Sequence, residues 1–149
     1  FGLMLTPDGP KVIEYNARFG DPETQSVLPL LETSLLDIMN AVIDRRLASL
    51  SVRWANAYTA CVVLASGGYP GKYSTGYEIT GLDAAKAAGA IVFHAGTKLE
   101  GDRLLTAGGR VLGVTAQGAT PDEALQRAYR AVDRIHFSGM FCRRDIGRR

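Results

Sequence analysis

The chain has 149 residues, a hydrophobic fraction of 46%, a charged fraction of 21% and a formal net charge of +2. These values fit one ordinary globular domain, or a domain and a half. The positive charge is concentrated in residues 143–149 and is too weak and local to indicate a nucleic-acid partner. No apolar run reaches the ~18 residues of a membrane span. Cys61 and Cys142 lack the spacing of a metal site, and Cys61 lies in an apolar run, so we expect a reduced, cytoplasmic protein.

The first residues are typical of a β-hairpin. Residues 1–5 are β-prone, the turn Thr6-Pro7-Asp8-Gly9 follows, and residues 11–16 form the return strand. The chain starts as if midway through a strand, so we expect the C-terminal piece of a longer protein. A hairpin without its sheet neighbours would leave unpaired edges and a possible route to a homodimer.

The return strand leads into a short stretch that is rich in carboxylate, amide and guanidinium side chains. Glu14, Asn16 and Arg18 alternate along it, which predicts that all three project from one strand face. The residues of the opposite face, which we expect to enter a core, are Ile13, Tyr15 and Ala17.

Two interpretations of this face stay open from the residues alone. A carboxylate and an amide oxygen suit a hard cation such as Mg²⁺, and an adjacent Arg would neutralise an anion held by that metal. The alternative is a polar, solvent-exposed edge strand, which is common.

Two helices are predicted next. The first covers residues 22–28, with Asp21 as N-cap and Pro22 at the first helical position. The second is capped by Ser34, with Asp37 three residues on, and runs to about residue 47. Its last turn would hold Arg45 and Arg46, which suit a helix C-terminus.

The sequence pattern of residues 53–149 predicts a β-rich domain. Strands are expected at 58–65 and 90–94, a Gly-rich loop at 66–76 and a short helix at 84–88. Residues 104–107 and 110–116 would pair around Gly108-Gly109. Thr120 caps a final helix, whose apolar face is Ala124, Leu125, Ala128, Val132 and Ile135. The predicted class is therefore α+β, with domains at 1–52 and 53–149.

Other polar features allow a functional and a structural interpretation. Main-chain N–H groups of Ser66, Gly67 and Gly68 would suit a phosphate, or the segment is only a tight turn. Lys98 and Arg110 would face one anion, or be separate solvated charges. His94, at a strand end, is expected to be a hydrogen-bonded structural residue.

The string from Glu14 to Gln25 resembles the ATP-grasp enzymes, and more narrowly the glycinamide ribonucleotide synthetase (phosphoribosylamine–glycine ligase) family. Four further segments resemble that family in its order: 65–70, 94–97, 108–116 and 144–147. The resemblance covers the whole chain, as the last third of such an enzyme. It implies the end of an ATP-grasp domain, a hairpin with helices, followed by a small β-rich domain with one packed helix.

The resemblance also implies a reaction. ATP phosphorylates the carboxylate of glycine, and the amine of 5-phosphoribosylamine attacks the acyl phosphate, in de novo purine biosynthesis. Glu14 and Asn16 would hold Mg²⁺ or Mn²⁺, and Arg18 would stabilise the transferred phosphoryl group. The substrate-binding residues it implies are Asp21, Pro22, Ser66, Gly67, Gly68, Lys98 and Arg110. The nucleotide-binding part would precede Phe1, so we expect the chain alone to be inactive.

Two alternatives remain. One is the C-terminal part of another ATP-grasp enzyme, such as a carboxylate–amine ligase or a carboxylase. The other is a non-catalytic β-rich interaction module, in which the polar residues after residue 13 are surface groups. The length of the string from Arg18 to Gln25 favours the first-named family, because that part looks least generic.

Overall fold

The computed structural model describes residues 1–147, so Arg148 and Arg149 lie outside it. The fold is α+β, as predicted. Its strands are β1 (Gly2–Thr6), β2 (Gly9–Glu14), β3 (Tyr58–Ala65), β4 (Ile91–His94), β5 (Thr97–Glu100), β6 (Arg103–Thr106) and β7 (Arg110–Gly118). Its α-helices are α1 (Thr24–Val27), α2 (Leu35–Ile43), α3 (Leu82–Ala87) and α4 (Pro121–Val132), and 3₁₀ turns span Leu28–Leu30 and Leu47–Ser49.

The N-terminal hairpin forms as predicted. Strands β1 and β2 pair antiparallel, with Thr6 opposite Gly9, and Gly9 has the positive φ of 94° that this turn requires. The expected core face is wrong: Ile13 and Tyr15 are 63% and 72% exposed, and Ala17 is exposed too. The two strands form a two-stranded sheet of their own, apart from the larger sheet, and these residues stay exposed instead of entering the core.

The helices after the hairpin are shorter than predicted. Helix α1 begins only at Thr24, and its N-cap is Glu23 rather than Asp21. The Asp21 carboxylate pairs with the side chains of Gln25 and Arg110. Helix α2 has the predicted cap, with the Ser34 side chain accepting from the N–H of Asp37 at 3.3 Å. It ends at Ile43, so Arg45 and Arg46 lie beyond its last turn.

The core is built on the three-stranded sheet of order β3-β7-β4, which is antiparallel throughout. Helix α4 packs on one face of this sheet. From the sheet, the fully buried residues include Val62, Leu64 and Val114. The buried residues that α4 and its end contribute are Ala124, Ala128, Ala131, Val132 and Ile135, which confirms most of the predicted apolar face.

The predicted hairpin around Gly108-Gly109 is wrong. Strand β6 pairs with β5, through a turn at residues 101–102, while β7 pairs with β3 and β4. Strand β7 buries seven of its nine residues, so it belongs at the centre of the larger sheet.

The start of helix α4 has one bond of a capping box, from Thr120, and a related bond to the residue before the cap. The Thr120 hydroxyl accepts from the N–H of Glu123 at 3.2 Å, and the Glu123 carboxylate accepts from the N–H of Ala119 at 2.7 Å. Within residues 1–147, every helix falls short of the length and apolarity that crossing a membrane would need.

Candidate functional site

Glu14 and Asn16 lie side by side at the end of β2. Asn16 Nδ2 donates to Glu14 Oε1 at 3.1 Å. Gly2, opposite Glu14 on β1, leaves room for this carboxylate, since a Cβ there would lie 2.9 Å from Glu14 Cγ. The strand stops at Glu14, so the predicted single strand face does not extend to Asn16 and Arg18. The irregular segment after the strand nevertheless keeps Glu14 and Asn16 together.

This pair has the donor chemistry of a Mg²⁺ or Mn²⁺ site. A carboxylate and an amide oxygen are hard ligands, and a half-turn of the amide about its C–C bond presents its oxygen. Residues 1–147 contain no group of three His, Cys, Asp or Glu side chains that would hold a metal alone. A cation here would therefore complete its shell with water or phosphate oxygens, which is how Mg²⁺ is commonly held.

Arg18 shares a pocket of about 210 Å³ with Asn16, the amide member of this pair. Its guanidinium donates from Nη1 to the carbonyl oxygen of Phe19 at 2.9 Å. The pocket is lined by Phe1, Gly2, Asn16, Arg18, Phe19, Gly20 and Glu23. Glu23 joins this pocket as well, and its place in the same motif as Asp21 and Pro22 was the signal available in the sequence.

Asp21 is held by partners from two elements. Its Oδ1 accepts from Gln25 Nε2 at 2.7 Å, and its Oδ2 pairs with Arg110 Nη2 at 2.9 Å. Its main-chain carbonyl oxygen accepts from Arg110 Nη1, also at 2.9 Å. The structure thus brings Arg110, from β7, to the segment that follows the polar pair, with Pro22 next along the chain.

Lys98 and Arg110 pair with different carboxylates. Lys98 lies on β5 and bonds Glu100 on the same strand. Hydrogen bonding and the charge of Lys98 lower the pKa of Glu100 below its ordinary value. Arg110 is engaged with Asp21, so the two cations do not share a counterion.

Ser66, Gly67 and Gly68 form a tightly packed turn. The Ser66 hydroxyl donates to the carbonyl oxygen of Gly108 at 2.8 Å, and the residue is 2% exposed. A Cβ on Gly67 would lie 2.7 Å from the carbonyl oxygen of Gly139. On Gly68, with φ of +97°, it would lie 2.2 Å from that of Lys72. Close backbone packing therefore accounts for these residue types, and a substrate contact stays a prediction.

His94 has a local partner. Its Nδ1 lies 3.2 Å from the Thr97 hydroxyl, across the turn between β4 and β5. This contact agrees with the predicted structural role.

The sheet face opposite α4 contacts the segment around α1. Cys61 and Thr115 are register partners on that face, and a Cβ on Gly113 would meet both Cys61 Sγ and Gln25 Cγ, at 3.3 and 3.8 Å. Burial raises the pKa of the Cys61 thiol; the Thr115 hydroxyl opposes this rise, while the negative charge of Asp21 adds to it. The face is thus a polar, partly buried layer that is adjacent to Asp21.

Comparison with known proteins adds to this geometry. The family model described as phosphoribosylglycinamide synthetase, C domain, matches residues 59–149. The model for the ATP-grasp (A) domain of the same synthetase matches residues 1–24. The chain belongs to the phosphoribosylglycinamide synthetase family. ATP-grasp ligases of this kind use ATP and a divalent metal.

Individual members of the synthetase family match nearly the whole chain. A phosphoribosylamine–glycine ligase of Caldanaerobacter subterraneus is 49% identical over 97% of this chain and 34% of its own length. The one of Vibrio cholerae is 52% identical over 99% of this chain and 35% of its own. A solved structure of the Thermotoga maritima ligase superposes with a TM-score of 0.74, at 35% identity, over 97% of this chain and 35% of its own. The chain spans about a third of the length of these relatives.

Proposed function

We propose that the chain is the metal- and phosphate-binding part of an ATP-dependent phosphoribosylamine–glycine ligase. The substrates would be ATP, glycine and 5-phosphoribosylamine, and the product of the first step glycyl phosphate. The observation that carries the proposal is the Glu14–Asn16 contact of 3.1 Å beside the Arg18 pocket, in a chain that belongs to this synthetase family.

Glu14, Asn16 and Arg18 have separate tasks in this proposal. Glu14 and Asn16 hold the metal, which when bound neutralises and aligns the phosphate oxygens of ATP. Arg18 faces the transferred phosphoryl group and stabilises its charge. Because Asn16 and Arg18 line the same pocket, metal and guanidinium would act on one group of oxygens.

The proposal also covers residues further along the chain. Asp21 and Pro22 shape the acceptor pocket. Ser66, Gly67, Gly68, Lys98 and Arg110 face the ribose phosphate of the amine substrate. For Asp21 and Arg110, a substrate contact requires release of at least part of their present bonding.

We also propose that the boundary between the two domains lies between residues 52 and 53, and that the protein is located in the cytoplasm. A further proposal is that the chain self-associates through the exposed hairpin. The exposure of Leu5 and Ile13, at 73% and 63%, supports self-association. Sedimentation of the isolated chain tests it, and a monomer at all concentrations would contradict it.

A chimera tests the proposed activity. This chain replaces the matching region of the Vibrio cholerae ligase, with which it shares 52% identity. We expect glycine- and phosphoribosylamine-dependent ADP release. Glu14→Ala in the chimera should lower the rate at least ~10²-fold, as for loss of a key electrostatic contact.

The matched control is Glu78→Ala in the same chimera, because Glu78 is an exposed carboxylate next to Tyr77 and Ile79 and outside the pocket. A folded chimera without ligase activity would contradict the proposal. ATP turnover that depends on another carboxylate substrate, instead of glycine, would favour a different ATP-grasp enzyme.

A further inference from the structure

The β3–β7 face anchors the segment of residues 21–30 through side chains that donate to main-chain carbonyl oxygens. Arg110 Nη1 bonds the carbonyl of Asp21 at 2.9 Å. The Thr59 hydroxyl bonds that of Ser26 at 2.7 Å, and Gln117 Nε2 bonds that of Pro29 at 2.8 Å. Since a main-chain carbonyl is independent of side-chain identity, these bonds fix the path of the segment itself.

The anchors lie at opposite ends of the sheet. Thr59 and Gln117 are register partners near one end of β7, whereas Arg110 begins that strand and pairs with Ala65. Arg110 and Gln117 are seven positions apart on β7, which corresponds to roughly 23 Å of extended strand. One end of the segment therefore depends on Arg110 and the other on Thr59 and Gln117.

The Arg110 end is the one that adjoins the candidate site. Asp21 follows Gly20 directly, and the carbonyl of Gly20 accepts the N–H of Thr24 at 3.0 Å. Gly20 lines the same pocket as Asn16 and Arg18. Two Arg110 nitrogens hold Asp21, one on the carbonyl and one on the carboxylate, so Arg110 limits where the preceding loop, residues 15–20, can lie.

We propose that Arg110 is a positioning residue of the ligase site: by holding Asp21 it sets the position of the loop that carries Asn16 and Arg18. The Mn²⁺-binding part of the test rests on the proposed function. The effect of Arg110 on the position of the loop is independent of that function. In the bonding observed, Arg110 acts at the metal and phosphoryl end of the site, and the contact with the ribose phosphate proposed above would require release of part of that bonding.

The test compares Arg110→Met with Gln117→Leu in the 149-residue chain. Each variant removes the side-chain donor that bonds a main-chain carbonyl of residues 21–30, and each keeps an apolar side chain of similar length. The two variants act at opposite ends of that segment. Amide ¹⁵N relaxation measures order in residues 15–20, and Mn²⁺ titration with broadening at Glu14 and Asn16 measures the site. Arg110→Lys, which keeps one donor and the charge, should restore part of both signals.

We expect order parameters in residues 15–20 to fall from about 0.85 to below about 0.6 in Arg110→Met and to stay high in Gln117→Leu. The affinity for Mn²⁺ should weaken at least ~3-fold in Arg110→Met only, since a binding-competent loop is then less populated. A purely structural role would lower thermal stability in both variants without this difference.

Equal order of residues 15–20 in both variants would overturn the inference. Absence of Mn²⁺ binding in the parent chain would instead contradict the metal role under the proposed function. In that case the relaxation comparison alone decides whether Arg110 positions the loop. Should Arg110→Met fail to fold, Arg110→Lys is compared with Gln117→Leu: we expect a partial loss of order in residues 15–20 in Arg110→Lys only, and equal order in these two variants would overturn the inference.

Discussion

Arg110 and Asp21, 89 residues apart in sequence, are joined by two contacts of 2.9 Å, one to the carboxylate and one to the main-chain carbonyl of Asp21. A double-mutant cycle with Arg110→Met and Asp21→Asn isolates the carboxylate contact. Because the two side chains are 41% and 45% exposed, we expect a coupling of only about 0.5 kcal/mol. Urea unfolding at low and high salt measures it, and the coupling should shrink as salt screens the pair. A coupling that salt does not change would contradict an ion pair.

Cys61 predicts a loss of stability at alkaline pH. Burial raises the pKa of its thiol above the unfolded value, so the folded state retains a proton that the unfolded state releases. The stabilisation is complete below the unfolded pKa and is lost as pH rises through the folded pKa. Thermal unfolding between pH 7 and 10 should show this loss, and Cys61→Ala should reduce its steepness. Burial also raises the pKa of the Cys142 thiol, which is less buried, so Cys142→Ala should reduce the steepness less than Cys61→Ala does. Identical pH profiles for Cys61→Ala and the parent would contradict the assignment.

Helix α3 lies between two glycines at which alanine substitution would distinguish the cost of backbone strain from the cost of steric overlap. Gly81 and Gly89 have φ of 84° and 85°, so alanine costs about 1–2 kcal/mol of backbone strain at either position. At Gly81 the Cβ would also lie 1.8 Å from the carbonyl oxygen of Arg134, whereas at Gly89 it meets nothing within 4 Å. We expect Gly81→Ala to destabilise by at least ~2 kcal/mol more than Gly89→Ala in urea unfolding. Similar losses for both would mean that the contact with Arg134 relaxes freely.

Local signals in the sequence predicted the elements that depend on neighbouring residues. The β-prone run predicted β3 with its observed bounds, and the capping pattern at Thr120 predicted the start of α4. Both depend on residues within a few positions. The hairpin around Gly108-Gly109 failed because β7 finds its partner in β3, about fifty residues earlier, and a turn dipeptide does not encode that choice.

The same difference between local and long-range contacts explains why only part of the candidate site was predicted. The contact between Glu14 and Asn16 is local, and it survives although the strand ends at Glu14. The link from Arg110 to Asp21 could not be read from spacing, because it arises only when β7 and the segment after β2 are packed together. Sequence reasoning therefore placed Arg110 with Lys98, which bonds Glu100 instead.

Binding of Mn²⁺ to the isolated chain tests the metal assignment most directly. With two protein ligands and water in the remaining positions, we expect a dissociation constant on the order of millimolar. Paramagnetic broadening should be centred on the amides of Glu14 and Asn16. Glu14→Gln should weaken binding at least ~10-fold, and Glu78→Gln should leave it unchanged. Equal broadening in the parent and Glu14→Gln, or broadening centred away from residues 14–18, would contradict the account.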